Sequence, residues 1–237
     1  MDLGVRGKVA LVTGASKGLG LGTARALSLE GCRVAINARD AERLASVAAT
    51  LPGETLALPG DVTDEREPER LVDATVERFN GLGIVVANAG GPPAARALEL
   101  DDAAILAAIE ANMLTSVRLV RAAVPHMRQA GWGRIVLITS VAVKQPIPNL
   151  AASNTARTGL WAWAKTAAAD LIDDGITLNA LCPGLHTTDR VRELGHTGRM
   201  GDPDDFGRIV AFVCSVHTGH LSGVALQVDG AATLGLL

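Results

Sequence analysis

The chain has 237 residues, a formal net charge of −3 and no tyrosine; 48% of its residues are hydrophobic but only 3% are aromatic. That length fits one α/β domain with a core of Ala, Val, Leu and Ile, and mixed charge without a basic block gives no support to a nucleic-acid partner. Residues 1–8 carry no signal-peptide-like apolar stretch, no apolar run is expected to reach the ~20 residues of a membrane span, and three scattered cysteines, Cys32, Cys182 and Cys214, read as reduced buried thiols of a cytoplasmic protein without a metal site.

Apolar, β-branched runs at 9–13, 33–37, 55–58, 84–88, 134–139, 177–181 and 225–228 alternate with helix-like segments at 20–29, 41–50, 65–79, 101–129, 151–170 and 203–215. The runs lack period-two polarity, so each is predicted as a strand buried on both faces. Gly31 and Gly175 follow helices as C-caps. No linker or repeat divides the chain. The pattern predicts a single Rossmann domain over 1–237, a doubly wound parallel sheet of about seven strands with helices on both faces.

The first strand runs into Thr13-Gly14-Ala15-Ser16-Lys17-Gly18-Leu19-Gly20, and a helix follows at once. Gly14 permits a sharp turn, Gly18 lets backbone approach a pyrophosphate, and Gly20 lets helix pack on strand. The helix N-terminus then offers N–H groups and partial positive charge to phosphates. The other reading of such a loop is a glycine-rich turn without a ligand.

With these residues the chain resembles the short-chain dehydrogenases/reductases, close to the 3-oxoacyl-carrier-protein reductase branch, over nearly its whole length. The resemblance implies a cofactor motif in Gly14, Ser16, Lys17, Gly18, Leu19 and Gly20. It implies adenine contacts at Asp61 and Val62, and the motif that ends the fourth strand in Asn88, Ala89 and Gly90. Asn112 falls where the family keeps a helix asparagine that organises a relay water, and Ser140 where it keeps the serine that binds a carbonyl. Pro183, Gly184 and Thr188 match the segment that closes over nicotinamide and pyrophosphate.

An acid at the end of the second strand would bond the adenosine ribose diol and repel a 2′-phosphate. Here the strand ends in Asn37-Ala38-Arg39, with no acid until Asp40, and Lys17 adds a second cation. The expected cofactor is therefore NADP, with NADPH preferred over NADH. The alternative is that Arg39 only pairs with Asp40 or Glu42 at the surface.

The family's Tyr and Lys positions hold Ser153 and Arg157. Residues four apart share a helix face, so both can point at the cofactor. A serine hydroxyl is a far weaker acid than a phenol, and arginine does not exchange its proton at ordinary pH. Arg157 can still bond the nicotinamide ribose and offer charge to a developing alkoxide. Other proton sources are Lys144, in a loop bordering the pocket, His186, for which packing is the expected role, and water held by Asn112 or Ser140. Cys182 reads as a buried strand-end thiol.

After Thr188 the family's flap is short here, spanning 189–200 with Gly195-His196-Thr197-Gly198. Trp161 and Trp163 cannot share a helix face, which points one of them at a subunit contact. The Ala-rich helices at 101–129 and 151–170 suit helix packing between copies, so a homotetramer is expected, with a dimer as second choice. These residues suggest an atypical NADPH-dependent reductase of a small-molecule ketone, with Asn112, Ser140, Ser153 and Arg157 in its site. An inactive NADP-binding protein and non-redox chemistry on a bound substrate are the alternatives.

Overall fold

A computed structural model describes residues 1–193, 195 and 198–235. Leu194, His196 and Thr197, part of the expected flap, lie outside the described residues.

One sheet carries seven strands in the order β3-β2-β1-β4-β5-β6-β7. They are β1 (Val9–Val12), β2 (Arg33–Ala38), β3 (Thr55–Pro59), β4 (Ile84–Ala87), β5 (Gly133–Ile138), β6 (Ile176–Pro183) and β7 (Ala225–Val228). Every pairing is parallel. Because β1 pairs with both β2 and β4, the winding reverses there. The crevice beyond the C-terminal ends of β1 and β4 is thus where a ligand belongs in this architecture. The inner strands β1, β4 and β5 are buried throughout, as expected. The edge strands β3 and β7 are only partly covered, since each has a neighbour on one side only.

Helices α1 (Gly18–Leu29), α2 (Ala41–Thr50) and α8 (Pro203–Val213) cover one face. Leu27, Leu44, Phe206 and Val210 seal them onto Val12, Ile36 and Val86. The other face is covered by α3 (Glu67–Phe79), α5 (Thr115–Ala130) and α6 (Ala151–Leu171). There Leu71, Phe79, Met127 and Leu160 pack on Leu11, Val85 and Leu137. Trp161 and Trp163 both pack half-buried against this second cluster. Helices α1 and α8 cross at glycines: a Cβ on Gly22 would stand 2.1 Å from the Pro203 carbonyl oxygen, and one on Gly207 2.2 Å from that of Gly22.

The single helix expected at 101–129 is divided. A π turn at Glu110–Leu114 separates α4 (Asp102–Ile109) from α5. A π turn adds a residue to the turn and rotates the helix face, a feature frequent at functional sites. It buries Asn112, which is 3% exposed. The continuous run Asp102–Ala130 has 29 residues and a mean hydropathy of 1.5 in its most apolar window. By length and composition it does reach a membrane span, contrary to the expectation from shorter apolar runs, because only sparse polar residues interrupt its alanines and aliphatics. Here α4 packs on α6 and α5 on α3.

Candidate active site

The loop after β1 is shaped by close approach. Gly14 and Gly18 lie at φ +58° and +56°, where glycine is favoured. A Cβ on Gly14 would stand 2.7 Å from the Asn88 side-chain nitrogen, and one on Gly20 2.2 Å from the Gly14 carbonyl oxygen. Asn88 clamps the loop: its Nδ2 donates to the Gly14 carbonyl at 3.2 Å, its N–H donates to Thr13 Oγ1 at 2.9 Å, and Thr13 Oγ1 donates to the Asn88 carbonyl at 2.9 Å. The first turn of α1 holds no acid, and Lys17 at its N-cap makes no side-chain cap. The positive end of the helix is therefore available to a phosphate. A Cβ on Gly90 would meet nothing within 4 Å, so backbone borders open space beyond β4. These features fit a dinucleotide's pyrophosphate.

The residues expected at the adenosine end are rich in cations. Arg39 is largely exposed, and its Nη1 lies 3.9 Å from Asp61 Oδ2; its acidic neighbour is Asp61 and not Asp40 or Glu42. Asp40 is turned away to cap α2, accepting the Arg43 N–H at 3.0 Å. Arg43, which the sequence reading missed, donates from Nε to the Ser16 carbonyl at 3.2 Å. The available signal was its place in the first turn of α2, four residues after Arg39. Lys17 Nζ and Arg43 Nη2 lie 3.3 and 3.9 Å from Asp189 Oδ2. Asp61 accepts from the Thr63 N–H at 3.0 Å and the Thr63 hydroxyl at 2.8 Å. The Thr63 N–H holds this carboxyl below the usual range against partial desolvation, helped by the hydroxyl and Arg39. Val62 lines a small cavity with Thr13, Asn88, Ala89 and Thr115.

The residues expected at the carbonyl end lie after β5, in the π turn and on α6. Ser140 follows β5, and its Oγ accepts the Ala142 N–H at 3.1 Å. Ser153 and Arg157 lie in the first two turns of α6, each 7% exposed. Among the described residues the Ser153 hydroxyl has no hydrogen-bond partner. Arg157 turns inward. Its Nη1 donates to the Ile138 and Thr139 carbonyls, each at 3.0 Å. Its Nη2 donates to the Ala89 carbonyl at 3.3 Å and to Asn112 Oδ1 at 3.2 Å. Asn112 Nδ2 in turn donates to the Ala108 carbonyl at 3.3 Å. The guanidinium thus braces the ends of β4 and β5 against the π turn.

The other proton-bearing groups lie elsewhere. Lys144 Nζ sits 5.9 Å from the Trp161 ring centroid. His186 is buried, with Nδ1 3.1 Å from the Gly184 carbonyl and its ring edge-on to Phe206, a packing position. Cys182 is fully buried, and burial raises its thiol pKa despite Thr139. Pro183 ends β6, and the Gly184 N–H donates to the Val228 carbonyl at 3.0 Å. Thr188 leads into α7 (Asp189–Glu193) and lies over the glycine loop: a Cβ on Gly18 would stand 3.2 Å from Thr188 Cγ2.

The family model for short chain dehydrogenases matches residues 8–198. Dehydrogenase/reductase SDR family member 4 of Sus scrofa is 31% identical over 94% of this chain and 86% of its own length. Its namesake from Homo sapiens is 30% identical over the same shares. The structure of L-sorbose reductase from Gluconobacter frateurii, complexed with NADPH and L-sorbose, aligns at a TM-score of 0.92 and 29% identity, covering 99% of this chain and 100% of that one. With the sheet order, the clamped glycine loop and a family match over most of its length, the chain belongs to the short chain dehydrogenase family of NAD(P)-dependent oxidoreductases.

Proposed function

We propose that this protein is an NADPH-dependent reductase of a small ketone, related in kind to the 3-oxoacyl-carrier-protein reductases, with a non-standard source of its proton. The observation that supports the reading is the set of cations around the glycine loop and the end of β2, Lys17, Arg39 and Arg43, to which we assign a 2′-phosphate, while Asp40 is committed to capping α2. Charge-assisted hydrogen bonds from such groups favour a phosphate over a bare hydroxyl. The similar L-sorbose reductase is described in complex with NADPH.

When bound, the reduced nicotinamide supplies a hydride. The remaining work falls to side chains. Ser140 donates to the carbonyl oxygen, and the free hydroxyl of Ser153 is placed one helical turn from Arg157. The buried Arg157 charge stabilises negative charge that develops on the oxygen, since electrostatics are stronger away from bulk water. Its proton stays in place, so the product alkoxide takes one from water by way of a serine hydroxyl.

A second reading has its own support. Arg157 is occupied by three backbone carbonyls and Asn112, an arrangement that suits an NADP-binding protein without turnover. Stopped-flow oxidation of NADPH against a ketone panel separates the two. Turnover with any ketone supports the reductase. Saturable binding without oxidation supports the second reading, and no binding of either reduced coenzyme overturns both.

The assembly we propose is a cytoplasmic homotetramer, with a dimer as second choice. Leu106, Phe212, Val216 and Leu226 are exposed apolar side chains on α4, α8 and their neighbours. Light scattering on a sizing column tests the state.

A further inference from the structure

Asp189 is the first residue of α7 and the only acid that joins three cations of the cofactor mouth among the described residues. Its Oδ2 lies 3.3 Å from Lys17 Nζ and 3.9 Å from Arg43 Nη2, and its Oδ1 lies 3.1 Å from Arg192 Nη1. Lys17 belongs to the glycine loop, and Arg43 is fixed to the same loop through the Ser16 carbonyl. The preceding residue, Thr188, lies over Gly18. The carboxylate therefore sits between two cations that come from separate segments, at the loop where the cofactor's charged end would be received.

We propose that Asp189 is a built-in competitor for the cofactor's 2′-phosphate and so determines how strongly the protein separates NADPH from NADH. The proposal rests on the reading that Lys17 and Arg43 receive that phosphate. A phosphate carries more negative charge than a carboxylate and has three acceptor oxygens. It can take both cations, but only by displacing Asp189 or by enduring its like charge. Either course lowers affinity for a ligand with the 2′-phosphate and leaves a ligand without it untouched. The opposite role, in which Asp189 holds Lys17 and Arg43 ready for the phosphate, makes the opposite prediction. The side chains of Asp189, Lys17 and Arg43 are 39%, 50% and 49% exposed, so the pairs are weak and the effect is modest.

Calorimetric titration of wild type and Asp189→Asn with NADPH, NADH, 2′,5′-ADP and 5′-AMP tests the idea. Asp189→Asn is expected to tighten NADPH and 2′,5′-ADP by roughly 3- to 10-fold, with NADH and 5′-AMP unchanged. The gain is expected to shrink as salt is raised, because the groups are exposed. Weaker binding of the phosphate-bearing ligands, no change, or equal tightening of all four overturns it. The double variant Lys17→Ala/Arg43→Ala tests the underlying reading separately. If it still prefers 2′,5′-ADP to 5′-AMP as wild type does, the cation reading fails. If it loses that preference while Asp189→Asn behaves as wild type, only the competitor role fails.

Discussion

Arg157 and Asn112 are 45 residues apart and joined by a hydrogen bond of 3.2 Å from Nη2 to Oδ1. The same guanidinium holds the carbonyls of Ala89, Ile138 and Thr139. Planar, forked donors suit such a cluster, whereas an ammonium is a compact point charge on a shorter reach. Arg157→Met removes the donors and leaves buried acceptors unmet, which costs about 1–3 kcal/mol for each group orphaned. With four acceptors orphaned the loss is about 4–12 kcal/mol, so at about 2–4 °C per kcal/mol for a chain of this size the expected fall in Tm is at least about 8 °C. Arg157→Lys is expected to recover part of it. Thermal melts of both variants check this, and an unchanged Tm for Arg157→Met would mean that the brace is not structural.

The vacancy of a phenol leads to a second expectation. Ser153 lies one turn before Arg157 on α6, and its hydroxyl has no partner among the described residues. The double change Ser153→Tyr/Arg157→Lys supplies an acid of pKa near ~10 beside a cation able to lower it. General acid catalysis is worth about 10²- to 10⁴-fold, so kcat for ketone reduction should rise within that range while the Kd for NADPH changes little. Single-turnover kinetics with the substrate found in a panel give the measurement. A double variant that folds, binds NADPH and gains nothing would show that proton supply is not the step in deficit.

How far the sequence carried depends on the range of the interaction. The inner strands were legible because burial on both faces leaves unbroken apolar runs such as Ile84–Ala87, a local signal. The glycine loop was legible because Gly14 and Gly20 answer steric demands fixed by adjacent elements. The π turn was not, since its alanine-rich surroundings read equally as regular helix. The inward turn of Arg157 was not either: helical spacing gives the face of a residue, while the end point of a long side chain depends on which distant carbonyls lack donors. Arg43 and Asp189 meet only through the fold, 146 residues apart, at 3.9 Å.

Coenzyme choice offers a third expectation. Arg39 is 81% exposed and near Asp61, whereas Arg43 is 49% exposed and tied to Ser16. A less solvated, better anchored cation makes the stronger charge-assisted bond. Arg43→Ala should therefore weaken NADPH by about 10-fold and Arg39→Ala by about 3-fold, with NADH affected less than 2-fold by either. Fluorescence titration of the two coenzymes gives the ratios. Equal losses for NADPH and NADH would remove both arginines from the phosphate site.

Alkaline pH should destabilise the protein through its thiols. Cys32 and Cys214 lie in the first core cluster, 2% and 0% exposed. Burial, with Glu30 adding to it, pushes the Cys32 thiol from its ordinary 9.0 to about 12. Burial also raises Cys214, reinforced by Cys32 and opposed by Arg134. Both are acids whose folded pKa exceeds the unfolded one. The folded state thus keeps a proton that the unfolded chain releases, so their stability contribution is whole below pH 9 and is lost as pH rises toward 12. Between those limits each thiol removes about 1.4 kcal/mol per pH unit. Urea midpoints measured at pH 7, 9 and 10.5 should be similar at the first two and lower at the third. Cys32→Ala/Cys214→Ala should be less stable at pH 7, because buried volume is lost, yet show a flatter decline above pH 9. An equally steep decline in the double variant would assign the alkaline loss to other groups.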